Sequence, residues 1–151
     1  MSRTFHTAAV GLALTLAACN GGGTHEGGDL QGDHDESTQP FSAIAPDDTL
    51  RFVGTEPFWG GEATGSKLLY STVDDADGQT IEVSRFAGRG GMSLSGELDG
   101  QPFDMAVSQA PCSDGMSDRT YPFTVTLKVK GEMRSGCAWT GKHAFSGGEQ
   151  A

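Results

Sequence analysis

The sequence predicts an all-β domain: a small antiparallel meander of seven to eight strands, closed or nearly closed into a barrel and pinned by one disulfide. Three observations carry this. From Thr49 onward apolar residues recur at every second position, the period of a strand with one dry and one wet face. The runs are separated by Gly65-Ser66, Asp77-Gly78, Asp99-Gly100 and Lys130-Gly131, permissive backbones for tight hairpins, which pair neighbouring strands antiparallel. Beyond the first twenty or so residues no stretch repeats with a helical period.

Residues 1–18 read as an export signal. Arg3 precedes an uncharged run containing Ala8, Ala9, Val10, Leu12, Ala13, Leu14 and Leu16, and small residues follow; the run is too short for a membrane-spanning helix of about 20 residues. Leu16-Ala17-Ala18-Cys19 resembles the lipobox of bacterial lipoproteins. That resemblance implies diacylglycerol on the Cys19 thiol, cleavage before it, and anchoring in a bacterial cell envelope with the domain in the periplasm. Asn20 rather than aspartate follows the cysteine, which by likeness to the sorting rule of enteric bacteria favours the outer membrane. An ordinary cleaved signal ending at Ala18 is the competing reading.

Residues 19–47 are expected to be a flexible tether. They contain Gly21-Gly22-Gly23, Gly27-Gly28, Pro40 and Pro46, and bury too little apolar surface to offset the entropy of ordering. Between Asn20 and Asp48 there are seven acids and no Lys or Arg. His25 and His34 lie among them without a fixed geometry for a metal, so a solvated linker is expected and no metal or other cofactor is assigned. With a formal net charge of −10 over 151 residues, the chain repels phosphate backbones, and nucleic acid is excluded as a partner class.

The β domain is placed at residues 48–146, with a disordered tail at 147–151. Strands are expected at 50–54, 60–64, 67–73 and 80–86, where alternation is loose, and in four cleaner runs. Met92, Leu94, Gly96 and Leu98 share one face; so do Phe103, Met105 and Val107, and likewise Phe123, Val125, Leu127 and Val129. In the last run Met133, Ser135, Cys137 and Trp139 share a parity, which puts Cys137 on the core side. A barrel removes the unpaired edges of an open sheet; a two-layer sandwich fits the same pattern. With Cys19 assigned to lipid, Cys112 and Cys137 are an even pair in an oxidising compartment and are expected to form a disulfide. The bridge would close about 25 residues and stabilise by roughly 3 kcal/mol.

Two segments break the alternation and are the candidate binding regions. Gly54-Thr55-Glu56-Pro57-Phe58-Trp59-Gly60-Gly61 gathers Glu56, Phe58 and Trp59 between two strands; the aromatics either line a pocket mouth or plug one barrel end, the latter being favoured. Residues 110–122 form a long irregular stretch with Ser113, Asp114, Asp118, Arg119 and Tyr121. Either it binds a ligand, or Arg119 pairs with Asp114 or Asp118 while Ser113 and Ser117 cap backbone groups. No catalytic residues are assigned. Ser113 or Ser117 would need an oriented base, and the one histidine of the domain, His143, lies near its C-terminal end.

Gly54-Thr55-Glu56-Pro57-Phe58-Trp59-Gly60, Pro111-Cys112-Ser113-Asp114-Gly115-Met116-Ser117-Asp118-Arg119-Thr120-Tyr121-Pro122 and Gly136-Cys137-Ala138 together resemble a family of uncharacterised bacterial envelope lipoproteins. The likeness spans about residues 50–139 and implies a shared role for the two irregular segments. The architecture is also similar to membrane-bound inhibitors of c-type lysozyme, although no Ser-Gly-x-x-Tyr segment is present in the domain. The expected function is a non-catalytic, lipid-anchored binding module for an envelope protein, wall component or small ligand. Inhibition of c-type lysozyme is the alternative, with an envelope hydrolase behind it.

Overall fold

The computed structural model describes residues 39–148. The export signal, Cys19, the tether as far as residue 38 and the last three residues lie outside the described residues. Eight strands follow one another: β1 (Leu50–Thr55), β2 (Phe58–Thr64), β3 (Lys67–Thr72), β4 (Gln79–Ala87), β5 (Gly91–Leu98), β6 (Gln101–Cys112), β7 (Tyr121–Val129) and β8 (Glu132–Thr140). Each pairs antiparallel with its neighbour, and β1 also pairs with β8, so the meander closes into a barrel. Every expected strand is present, and closure decides for the barrel over the sandwich.

The hairpins have the geometry their residues favour. Asp99 and Gly100, with φ of 53° and 72°, and Lys130 and Gly131, with φ of 50° and 80°, have the two left-handed positions of a type I′ turn, whose twist matches that of the flanking strands. An eight-stranded barrel is just wide enough for side chains to fill it or to hold one small ligand. Here Phe52, Leu68, Leu94, Phe103, Met105, Phe123, Val125 and Leu127 fill it, all essentially without solvent contact.

In β8 the inward face is the opposite of the expected one. Leu127 is paired with Arg134, Val125 with Gly136 and Phe123 with Ala138, and because directly paired residues share a face, Arg134, Gly136 and Ala138 look into the barrel. Cys137, paired with Thr124 and Val53, is on the outer wall. It is nonetheless buried, because β6 runs on to Cys112 and the following loop folds back over it. The expected disulfide is present, with an S–S distance of 1.99 Å and Cα atoms 5.6 Å apart. On the same outer wall Tyr121, Trp139 and Phe145 stack at centroid distances of 5.4 to 5.7 Å, a second apolar cluster separate from the interior one.

The folded part also starts earlier than residue 48. Ile44 is fully buried in the interior cluster, and Phe41 and Ala43 pack against it. The Phe41 ring meets Phe123 edge-on at 6.4 Å, and His143 stacks on Phe123 from another side at 5.6 Å. Arg85, in line with the buried Ile81 and Val83 of β4, donates from Nη2 to the Ile44 carbonyl. Burial holds its pKa below the usual value. Asp48 accepts from the Ala45 amide at 2.9 Å and pairs with Lys142 at 2.7 Å. One end of the barrel is thereby plugged. At the other boundary Ser146 exchanges two backbone hydrogen bonds with Thr120, and Gly147 sits against the Asp118 carbonyl.

Candidate functional site

The end opposite the plug is where the β1–β2, β3–β4, β5–β6 and β7–β8 turns gather. There the interior opens into a cavity of about 320 Å³. Its walls are side chains near that end of five strands: Tyr70 and Thr72 of β3, Gln79 of β4, Leu98 of β5, Val129 of β7 and Arg134 of β8. Trp59 and Thr72 are paired, and one step further out Phe58 and Val73 stand at the rim, 51% and 71% exposed. Pro57 completes that side. Two large apolar side chains at the lip of a concavity make it suited to a ligand or partner with an apolar part.

The polar groups of the cavity converge on Arg134. Its Nη1 donates to the Tyr70 hydroxyl at 2.7 Å, reaching from β8 to β3, and its Nη2 donates to the Glu132 carboxylate at 2.8 Å. Its Nε is buried without an acceptor. Burial raises the Tyr70 pKa against the opposing pull of Arg134, so the phenol stays protonated at neutral pH. Having accepted from Arg134, it keeps its own hydroxyl hydrogen for another acceptor. At the rim Lys130 pairs with Asp99 at 3.0 Å. The Asp75 carboxylate accepts from the Gly78 backbone amide at 3.2 Å and from the Gln79 side-chain Nε2 at 3.3 Å, ordering the β3–β4 turn.

Of the candidate residues in the first irregular segment, Phe58 belongs to this mouth and Glu56 is exposed beside it in the two-residue turn Glu56-Pro57, whose peptide is cis. Trp59 does not line it. Only 4% exposed, it points inward, packing on Phe52 at 5.8 Å and Tyr70 at 6.2 Å. The segment thus breaks the strands for two residues only, and its tryptophan has the core role rather than a contact role.

The second candidate segment lies on the outer wall rather than at the mouth. Asp114 organises the loop: its carboxylate accepts from the Met116 amide at 3.0 Å, the Ser117 amide at 2.8 Å, the Ser117 hydroxyl at 2.8 Å and the Tyr121 hydroxyl at 3.1 Å. These bonds lower its pKa to about 2, the Ser117 amide contributing most. Ser113 accepts from the Gly115 amide and Ser117 from the Arg119 amide, the capping arrangement expected for a loop that satisfies itself. Arg119 departs from expectation: it lies over the Phe145 ring at 4.4 Å, a cation–π contact. Tyr121 is buried, and Asp118 is exposed. The two irregular segments touch where Thr55 Oγ1 donates to the Asp114 carbonyl at 3.3 Å. A groove of about 300 Å³ runs there between strands β1, β7 and β8 and the Cys112–Cys137 bridge, lined by hydroxyls including Thr124, Thr126 and Ser135.

Among the described residues no three His, Cys, Asp or Glu side chains gather where they would hold a metal ion. His143 stacks on Phe123, and its amide donates to the Thr140 hydroxyl at 3.0 Å. The fold and cavity define the class: an up-and-down eight-stranded β-barrel with one end plugged by its own N-terminal segment and the other open. No protein-family model matches the chain, and no curated protein or solved structure matches it significantly.

Tyr70, Val73 and Arg134 are the site residues that reading the sequence missed. Val73 ends the loosely alternating run 67–73, one residue past β3, and Arg134 sat on the face of β8 assigned to solvent. A signal was present in Gly136-x-Ala138, small residues at positions where a barrel must make room for large rings from other strands.

Proposed function

We propose that this protein is a non-catalytic, lipid-anchored binding module of a bacterial cell envelope, and that its domain takes a small ligand at the open barrel end. The observation that carries this reading is the asymmetry of the barrel. One end is plugged by Phe41 and Ile44, with Arg85 and Asp48 fastening the plug, whereas the other keeps a cavity of about 320 Å³ under the exposed Phe58 and Val73. Lipidation of Cys19, export, and a periplasmic position at the outer membrane rest on the lipobox resemblance. An acidic segment rich in glycine between Cys19 and the barrel suits a tether that holds the domain off the bilayer.

The test is a ligand screen on the full chain from envelope extracts fractionated into small molecules, muropeptides and lipids, read by thermal stabilisation. A hit is expected to be lost in the double variant Phe58→Ala, Val73→Ser, which leaves the interior residues untouched. A hit retained by that variant and lost when Asp114→Ala unlocks the outer loop places binding on the wall instead. Inhibition of a c-type lysozyme by the full chain replaces the small-ligand reading with a protein-inhibitor one.

A further inference from the structure

The cavity floor carries information about the ligand. A guanidinium facing into a barrel whose other inward side chains are mostly apolar is unusual. Desolvation penalises it unless each N–H has an acceptor. Arg134 meets that condition only in part, because Nη1 and Nη2 are bonded and the buried Nε is not. Its partner Glu132 is a lip residue whose side chain is 65% exposed, against 16% for Arg134. The carboxylate on Nη2 therefore comes from a side chain that can swing into water, while the guanidinium remains in place.

From this geometry we infer that the open end binds a small amphipathic monocarboxylate, whose carboxylate takes the Nε and Nη2 edge of Arg134 in place of Glu132. A carboxylate matches the guanidinium fork bidentately. The Tyr70 hydroxyl, which is bonded to the same guanidinium and has a hydrogen to donate, supplies a third donor. The apolar remainder of the ligand lies against Leu98, Val129 and the rim pair Phe58 and Val73. At about 30 Å³ per water, a cavity of about 320 Å³ has room for a short chain or a single ring. Asp74 and Asp75 on the rim disfavour a second negative charge, which is why a monoanion is specified. Glu132 acts as an internal competitor, exchanging with the ligand for one guanidinium edge.

This inference rests on the open end being the binding site, and the experiment separates the two. Octanoate, 1-octanol and octylamine are titrated into the full chain at neutral pH, with amide shifts mapping the position and calorimetry the affinity. Octanoate is expected to bind about ten-fold tighter than either of the others, the scale of one charge-assisted hydrogen bond. Arg134→Met should abolish the preference. Should that variant fail to fold, Glu132→Gln carries the test on an exposed side chain: removal of the competing carboxylate is expected to tighten octanoate and leave 1-octanol unchanged. Equal affinities of octanoate and 1-octanol at the mouth, or octanoate affinity unchanged or weakened in Glu132→Gln, overturn the carboxylate assignment while leaving the open end as a site. Shifts confined to the outer wall, or no binding by any of the three at millimolar concentration, overturn the site and the assignment together.

Discussion

The indole of Trp59 occupies the space that a side chain at Gly54 would need. The two residues are directly paired between β1 and β2, and a Cβ built on Gly54 would stand 2.1 Å from the indole Nε1. On the adjoining strand β8 a Cβ on Gly136 would come within 2.8 Å of the same ring. The ring therefore lies against bare backbone on two neighbouring strands, with Nε1 buried and unpaired. Gly54→Ala is expected to destabilise the barrel by about 2 to 3 kcal/mol through overpacking. Since the two positions share one volume, adding Trp59→Leu to Gly54→Ala should cost less than the sum of the single changes, with a coupling of about 1 kcal/mol or more in urea denaturation. Additive effects would mean that the ring does not depend on the missing Cβ.

The plug makes a prediction about where the domain begins. Ile44 is fully buried, so Ile44→Ala should lower stability by about 2 to 4 kcal/mol, the range for removing branched aliphatic bulk from a core. A chain starting at residue 48, where composition alone places the boundary, loses Phe41, Ile44 and the acceptor of Arg85 together. It is expected to melt well below a chain starting at residue 39. Equal melting temperatures would show the plug to be dispensable.

Strand number, antiparallel order, hairpin positions and the disulfide were legible because each rests on local rules: period two, permissive turn residues, an even cysteine pair. What was not legible depends on residues far apart in sequence. In β8 Cys137 and Trp139 face outward, where the loop after Cys112 buries the first and Phe145 half-buries the second. The inward residues Gly136 and Ala138 are small because Trp59 and Phe123 fill the volume from other strands. A hydrophobic pattern reports burial, and here burial comes from both sides of the wall. Arg134 consequently passed for a solvent residue. The tether boundary failed similarly, since Phe41 and Ile44 are two apolar residues in a polar stretch and only the open ring of strands gives them somewhere to go.

The Cys112–Cys137 bridge ties the extension of β6 to the outer wall across a sequence separation of 25. Replacing both cysteines with alanine should lower stability by roughly 3 kcal/mol on the chain-entropy model. The loss should be local in its first effects: amide exchange is expected to rise at Ser113 to Thr120 before it rises in β3 to β5. A uniform rise across the barrel would mean that the bridge secures the whole fold rather than the loop.

Asp114 gives the fold a definite acid response. Its carboxylate, partly exposed, is held at about 2 against an ordinary value of 3.8, chiefly by the Ser117 and Met116 amides and with help from the Ser117 and Tyr121 hydroxyls. All of these donate to the ionised form and favour it. The folded state therefore binds that proton less readily than the unfolded chain does. The stabilisation is complete above the unfolded pKa, declines as pH falls from 3.8 toward about 2, and is absent below that. Asp114→Ala should destabilise by about 1 kcal/mol at neutral pH, the scale of a net hydrogen bond discounted for solvent access. The gap between the parent chain and Asp114→Asn, which keeps an acceptor oxygen but no charge, should be constant above pH 5 and close on acidification through the same window. Denaturation midpoints of the three proteins across that range check it: a gap that persists at pH 2 would mean that the shape of the side chain, rather than its charge, organises the loop.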